Sequence, residues 1–332
     1  MVSENISLDE QARKALMEVI PEGNEDTPLA AQLSLDARRR IDLRGRKFAK
    51  PDRTRIIAIA NQKGGVGKTT SAVNLAAGLA LGGLRVLVLD VDPQGNASTA
   101  LGLEHQSGIP SVYEILVDSL PIAEAVQESP NVKGLFGVPA TIDLAGAEIE
   151  LVPMVSRETR LHRALDAYFA HLAKDGETPI DYVLIDCPPS LGMLPVNAFA
   201  AAHEVLVPIQ CEYYALEGLG HLLKSVEMFR QHVNPELHIS AVLMTMYDSR
   251  TNLSQQVVDE VTKYFPAEIM RTKIPRSVRV SEAPSYGQTV MTYDPSSTGA
   301  LAYLEAAREL AQRGVSSIVN LSESVTELSE AA

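Results

Sequence analysis

The stretch Asn61-Gln62-Lys63-Gly64-Gly65-Val66-Gly67-Lys68-Thr69-Thr70 decides how the rest of the chain is read. An apolar, β-branched run, Ile56-Ile57-Ala58-Ile59-Ala60, precedes it. A helix-period segment from Ser71 to Leu81 follows, closed by Gly82-Gly83. Strand, glycine-rich loop and helix in that order form the setting in which backbone N–H groups at a helix N-terminus cradle phosphate oxygens. Gly64, Gly65 and Gly67 let the backbone approach the anion, with Val66 between them. Lys68 places a point charge at the β- and γ-phosphates, and the Thr69 hydroxyl is a Mg²⁺ ligand. Thr70 closes the run and joins the nucleotide-contacting set.

The general pattern has a glycine five residues before its last one, and here that position is Gln62, with a second lysine, Lys63, opening the loop. This variant, Lys-Gly-Gly-Val-Gly-Lys-Thr, resembles the deviant Walker A loop of the ParA/MinD ATPases.

Composition frames that reading. A chain of 332 residues with 45% hydrophobic content can bury a sizeable core. Alternating apolar strands and helical stretches predict an α/β fold, which can remain one domain at this length. The formal charge of −13 excludes a protein that is basic all over but leaves room for a local basic patch. Two cysteines, Cys187 and Cys211, have neither metal-type spacing nor a disulfide framework, which fits a reducing cytosol. No apolar run reaches the roughly 18 residues of a membrane span, and no secretory segment opens the chain. A cytoplasmic protein is expected.

Residues 1–52 read as an extension. Ser7-Leu8-Asp9-Glu10 has the form of a capping box before a short amphipathic helix carrying Leu8, Ala12, Ala15, Leu16 and Val19. Residues 1–30 carry seven acids and two bases, whereas residues 31–55 carry nine bases and three acids, including Arg38-Arg39-Arg40. The basic stretch is either a DNA- or partner-binding arm or a solvated linker.

A second strand, Arg85 to Leu89, runs into Asp90-Val91-Asp92-Pro93-Gln94-Gly95-Asn96. Ligands gather at the carboxyl ends of the strands in an open parallel sheet, so acids there are placed to meet a metal or an attacking water. A helix-capping role suits Asp90 better than Asp92. Tyr182-Val183-Leu184-Ile185-Asp186 has the form of a Walker B strand, with Asp186 holding the Mg²⁺ shell. Arg157, Arg160 and Arg163 recur at helical spacing and read as one solvated face. Further strands are expected at Val205–Ile209, Ile239–Thr245 and Ile269–Ile274, and helices at Leu219–His232 and Ser297–Gln312. The ends of the strands near 245 and 274 should frame an adenine, with Met246 and Pro275 as contacts.

The Asp-x-Asp-Pro-Gln-Gly-Asn segment, the segment Val138 to Glu148 and the wording Gln210-Cys211-Glu212-Tyr213-Tyr214-Ala215-Leu216-Glu217-Gly218 also resemble chromosome-partitioning ParA/Soj ATPases. The likeness covers about residues 53–315, which are taken as the ATPase domain. It implies a doubly wound, mainly parallel sheet with helices on both faces, and an ATP- and Mg²⁺-dependent sandwich homodimer. In it Lys63 reaches the partner's phosphates and Asp92 positions the hydrolytic water. It also implies non-specific double-stranded DNA binding. The family's DNA-binding arginines fall on Arg250 and Arg279, with Arg276, Lys273 and Arg271 nearby; the alternative is pairing with Asp248, Glu282 or Glu268. A ParB-type centromere-binding protein is the implied stimulating partner, and nucleoid association the implied location.

MinD-type relatives end in a basic amphipathic helix, whereas the stretch 316–332 carries only acids, Glu323, Glu327 and Glu330, so no membrane partner is expected. The cysteines do not fall in the pattern of the related nitrogenase iron protein. A positioning ATPase for another cargo remains the competing reading.

Overall fold

A computed structural model describes residues 12–21, 28–43, 45–190, 192–212 and 217–313. The expected capping box at Ser7–Glu10, Tyr213-Tyr214 and the acidic stretch 316–332 lie outside the described residues. Seven described strands form one sheet in the order β3-β4-β2-β5-β1-β6-β7. They are β1 Arg55–Ile59, β2 Val86–Asp90, β3 Gln127–Glu128, β4 Leu135–Val138, β5 Tyr182–Asp186, β6 Glu204–Gln210 and β7 His238–Thr245. All pairings are parallel except that of β3 with β4.

The α-helices are α1 (described over 12–19), α2 Pro28–Leu43, α3 Lys68–Leu81, α4 Asn96–Leu101, α5 Val112–Val117, α6 Ile122–Ala125 and α7 Leu144–Glu150. They continue with α8 Arg160–Lys174, α9 Met193–Ala201, α10 Glu217–His232, α11 Asn252–Tyr264, α12 Val278–Glu282, α13 Val290–Tyr293 and α14 Thr298–Arg313. Every residue of β1, β2 and β5 is buried, because helices cover both faces and the strands must be apolar throughout. The pleat sends Ile57 and Ile59 into one layer with α3 and α14. It sends Ile56 and Ala58 into the other, with α8, α9 and α11. The expected doubly wound architecture is present, and it brings the carboxyl ends of β1, β2 and β5 together.

Three local expectations are corrected. First, residues 269–274 do not form a strand. Met270 N and Ile274 N bond to β7 at Val242 O and Met244 O, but Arg271 N and Thr272 N between them donate to the Glu309 carboxylate on α14, at 2.8 and 3.0 Å. A side chain has taken the ladder's donors. Second, Arg160 is not part of a solvated face: its guanidinium holds the carbonyls of Leu116 and Val117 at the end of α5 and the Ser119 hydroxyl.

Third, much of the basic stretch is helical and docked. Arg39 forms a two-pronged pair with Glu305, and Asp42 accepts from Arg308 at 2.6 Å. Arg40 donates to the carbonyls of Pro295, Ser296 and Ser297. Phe48 then seats against Gly82, where a Cβ would come within 2.3 Å of the ring. The extension is fastened to α14 and to the end of α3 rather than strung out as a linker.

Candidate nucleotide site and neighbouring cationic surface

The loop between β1 and α3 is held from three sides. Asn61 Nδ2 donates to Pro208 O at 2.9 Å, while Asn61 Oδ1 accepts from Lys63 N at 3.0 Å. Thr245 Oγ1 donates to Val66 O at 2.8 Å. Gly65 and Gly67 have φ of +74° and +89°, a left-handed conformation that only glycine adopts without strain. Gly67 caps α3 with no side-chain hydrogen bond to the first turn. The donors of that turn are therefore available to an anion.

The two loop lysines part company. Lys68 is buried and folds over its own loop, donating to Lys63 O at 3.1 Å. Burial lowers its pKa, against which Asp186, the Cys187 thiol and Asp92 act. Lys63 instead pairs with Glu212 at 3.2 Å, with a third of its side chain exposed.

Asp186, at the end of β5, is fully buried, and neither carboxylate oxygen makes a hydrogen bond of good geometry, although the Thr69 hydroxyl is near enough to favour its charged form. Burial, then the neighbouring Asp90 carboxylate, pushes its pKa well above the ordinary range, while Thr69 and Lys68 oppose the shift. Native buried polar groups left open in this way call for a ligand. A dry carboxylate beside a threonine hydroxyl is a hard oxygen donor set that suits Mg²⁺.

Asp90 is fully engaged. It accepts from Ser98 N at 2.7 Å, Ser98 Oγ at 2.6 Å and Asp92 N at 3.3 Å, and burial raises its pKa to about 6. Ser98 Oγ in turn accepts from Ala140 N at 3.0 Å. Asp90 thus anchors the turn into α4. Asp92 accepts from Gln94 N at 3.0 Å and is within electrostatic reach of the Lys68 ammonium. Cys187 and Cys211 are free, buried thiols, both with raised pKa.

Tyr247 N donates to Ile274 O at 2.9 Å, and Arg276 N to Tyr247 O at 3.3 Å. Tyr247 therefore bridges to Pro275, and Met246 and Pro275 lie at neighbouring ends. The same bridge brings Arg276 within electrostatic reach of Asp248. Arg250 is 86% exposed and paired with Asp248 at 2.7 Å, whose carboxyl is held down to about 2. Arg279 pairs with Glu282 at 2.9 Å and with Asp294 at 3.5 Å. Arg276 is exposed, and Lys273 lies 4.7 Å over the Tyr247 ring. Arg271 lines a groove with Arg53, His203 and Arg313, where the amino ends of β6 and β7 lie. The pairing alternative thus describes Arg250 and Arg279 within this subunit, with Asp248 and Glu282 as partners. Exposed pairs of this kind are weak, and a phosphate competes readily for the guanidinium.

The sequence reading missed Asn61, Thr245, Ser98 and Glu148. Glu148, on α7, accepts from Met193 N at 2.6 Å and Leu194 N at 3.3 Å, capping α9 just beyond the segment that follows Asp186. Each makes at least one hydrogen bond to a partner more than 40 residues away, which residue order does not reveal.

A phosphate cradle on β1, a buried carboxylate at the end of the adjacent β5 and helices on both faces define a P-loop nucleotide-binding protein. Residues 54–239 match the family AAA_31, described as an AAA domain. The chain is 53% identical over 260 residues to the sporulation initiation inhibitor protein Soj of Bacillus subtilis, spanning 78% of this chain and 99% of that protein. It is 48% identical over 259 residues to the chromosome partitioning protein ParA of Myxococcus xanthus, spanning 78% and 88%. The chain belongs to the Soj/ParA family of chromosome-partitioning P-loop ATPases.

A solved structure of a Mycobacterium smegmatis protein named cobyrinic acid a,c-diamide synthase, with bound ATP analogue and magnesium, is 39% identical. It superposes with a TM-score of 0.67 over 80% of this chain and 97% of that one. The partitioning relatives are more alike in sequence, and they set the family. Among the described residues no helix is long and apolar enough to cross a membrane.

Proposed function

We propose that the chain is an ATP-gated DNA-partitioning switch. ATP closes a sandwich homodimer, the dimer holds double-stranded DNA without sequence preference, and partner-stimulated hydrolysis releases it. The observation that carries this reading is the split between the two loop lysines. Lys68 serves its own loop, whereas Lys63 is held by one half-exposed carboxylate, Glu212, which a triphosphate on a second subunit would outcompete. Facing ATP molecules repel, and cations between them offset that repulsion.

Gly64, Gly65, Val66, Gly67, Lys68, Thr69 and Thr70 bind the phosphates, and Met246 and Pro275 flank the adenine. ATP and magnesium are carried over from the 39% identical relative. Thr69 and Asp186 are the residues that would hold Mg²⁺, whose chemistry is to neutralise charge on the β- and γ-phosphate oxygens. Asp92 orients water for in-line attack, and Lys68 and Lys63 offset charge that grows on the γ-phosphate.

Arg250, Arg276 and Arg279 contact DNA phosphates. These contacts position without reading sequence. Two copies in a dimer double the phosphate contacts and steepen the dependence of affinity on salt. A ParB-type centromere-binding protein is the stimulating partner, and the protein works in the cytoplasm on the nucleoid. We take 53–315 as the ATPase unit, 1–52 as its extension and 316–332 as an acidic tail.

The test is binding to non-specific duplex DNA with ATP, with ADP and without nucleotide, for wild type and Arg279→Glu. ATP-dependent binding abolished by the substitution supports both the gate and the surface. A wild type that ignores DNA in every nucleotide state overturns the reading.

A further inference from the structure

The loop that cradles phosphate and the loop that carries Arg250 meet at one side chain. Thr245, the last residue of β7, is buried and donates its Oγ1 hydrogen to the Val66 carbonyl at 2.8 Å. Its methyl group lies 3.7 Å from where a Cβ on Gly67 would sit. Thr245 therefore closes over Gly67, the residue that caps α3.

The next residue, Met246, holds φ at +52°. A left-handed conformation is unfavourable for an L side chain, and it persists only where its surroundings over-determine it. Bonds on both sides do so here. Thr245 is tied to Val66 before it, and Tyr247 N is tied to Ile274 O, at 2.9 Å, after it. Tyr247 O then accepts from Arg276 N, and Asp248 holds Arg250 through both backbone and guanidinium. Six residues of chain, Thr245 to Arg250, thus span from a phosphate-loop carbonyl to the cationic surface.

From this geometry we infer that Thr245 is a positioning residue through which the phosphate loop sets the arrangement of the Arg250 and Arg276 segments. The inference rests on the DNA-binding reading above and names how that surface is regulated. Val66 lies between the two left-handed glycines, so its carbonyl moves when the loop tightens on an anion. The hydroxyl bond obliges Thr245 to follow. Met246, already pinned on both sides, passes the displacement on to Tyr247 and its bridge to Pro275. The contacts trace a continuous path, and an energetic coupling measured across it is what the inference requires.

The experiment compares duplex-DNA affinity of the full chain at saturating ATPγS and at saturating ADP, for wild type, Thr245→Val and Thr245→Ser. Saturation in each arm keeps changes in nucleotide affinity out of the ratio. Valine keeps the shape and loses the donor; serine keeps the donor and loses the methyl group. The expected ratio is at least about fivefold for wild type, within about twofold for Thr245→Val, and restored by Thr245→Ser.

A valine variant with the wild-type ratio overturns the inference and leaves ATP-gated DNA binding standing. A wild type with no ratio removes that reading and this inference with it. A serine variant as impaired as valine reduces Thr245 to packing, which also overturns the inference. If the valine variant fails to fold, amide exchange on wild type decides. The Tyr247 and Arg276 amides should exchange more slowly with ATPγS than with ADP, and equal rates overturn the inference.

Discussion

Asp90 and Asp186 stand directly opposite each other on the parallel strands β2 and β5, two buried carboxylates at the carboxyl ends of interior strands. Their partners differ. Asp90 takes Ser98 and the Asp92 backbone, while both oxygens of Asp186 are left open. Two like charges so placed cannot both ionise cheaply: burial first, then the Asp90 carboxylate, raises the pKa of Asp186, while burial and Asp92 raise that of Asp90. One carboxylate builds the turn, and its neighbour is the one proposed to hold a cation.

This arrangement trades stability for function. Burial holds protons on the pair above the ordinary 3.8, to about 6 for Asp90. Between those values the native state binds more protons than the unfolded one, so this pair's contribution to stability falls as pH rises through that window. Asp186→Asn should therefore stabilise the nucleotide-free protein at pH 7.5, by about 1–3 kcal/mol, and flatten its melting temperature from pH 4 to 6 relative to wild type. The same variant should lose the thermal shift that Mg·ATP gives wild type. Urea and thermal melts at several pH values check this, and a less stable Asp186→Asn protein contradicts it.

Asp92→Ala should keep ATP-dependent dimerisation and lower the hydrolysis rate by roughly 10²–10⁴-fold, the usual share of a positioned base. Light scattering with ATP and a phosphate-release assay separate the two effects. Loss of ATP binding would remove the role assigned to Asp92.

Gly82→Ala should destabilise the chain by about 1–3 kcal/mol through overpacking against Phe48. Once Phe48→Ala has emptied the notch, adding Gly82→Ala should cost little more. The two changes are therefore non-additive in denaturant melts. Simple addition of their costs would show that the contact is not where strain arises.

Arg39→Ala should lower the melting temperature and leave DNA affinity unchanged, since its guanidinium is spent on Glu305. Arg40→Ala, which frees the carbonyls of 295–297, should behave alike. A drop in DNA affinity without a change in melting would return the DNA-arm reading of this stretch.

Removing one phosphate contact per subunit with Arg250→Ala should reduce the slope of log affinity against log salt by about 1 per subunit. It should weaken binding evenly across DNA sequences. An unchanged slope would leave Arg250 to its pair with Asp248 alone.

How much of this was legible beforehand depended on range. The loop from Lys63 to Thr70, the strand ending in Asp186 and an α/β fold were read from residue order, with helix capping the alternative that suits Asp90; the doubly wound sheet came from the family resemblance. In each case the signal is local: glycine sterics, strand periodicity and the acid at a strand's end act within a few residues. The strand expected at 269–274 failed because Glu309, far along the chain, took its donors. The solvated-face reading failed at Arg160, because α5 ends beside it. The linker reading of the basic stretch failed because α14 offered Arg39 a carboxylate 266 residues away.

The sequence by itself determined the fold class and the place of the glycine-rich loop between a strand and a helix. Periodicity and backbone sterics are properties of short segments and survive without context. The tertiary structure alone decided which charges are paired, which carboxylate is left open, and that Thr245 reaches Val66. A hydrogen bond or ion pair acts over about 3 Å, and only the packing of distant elements brings such groups that close.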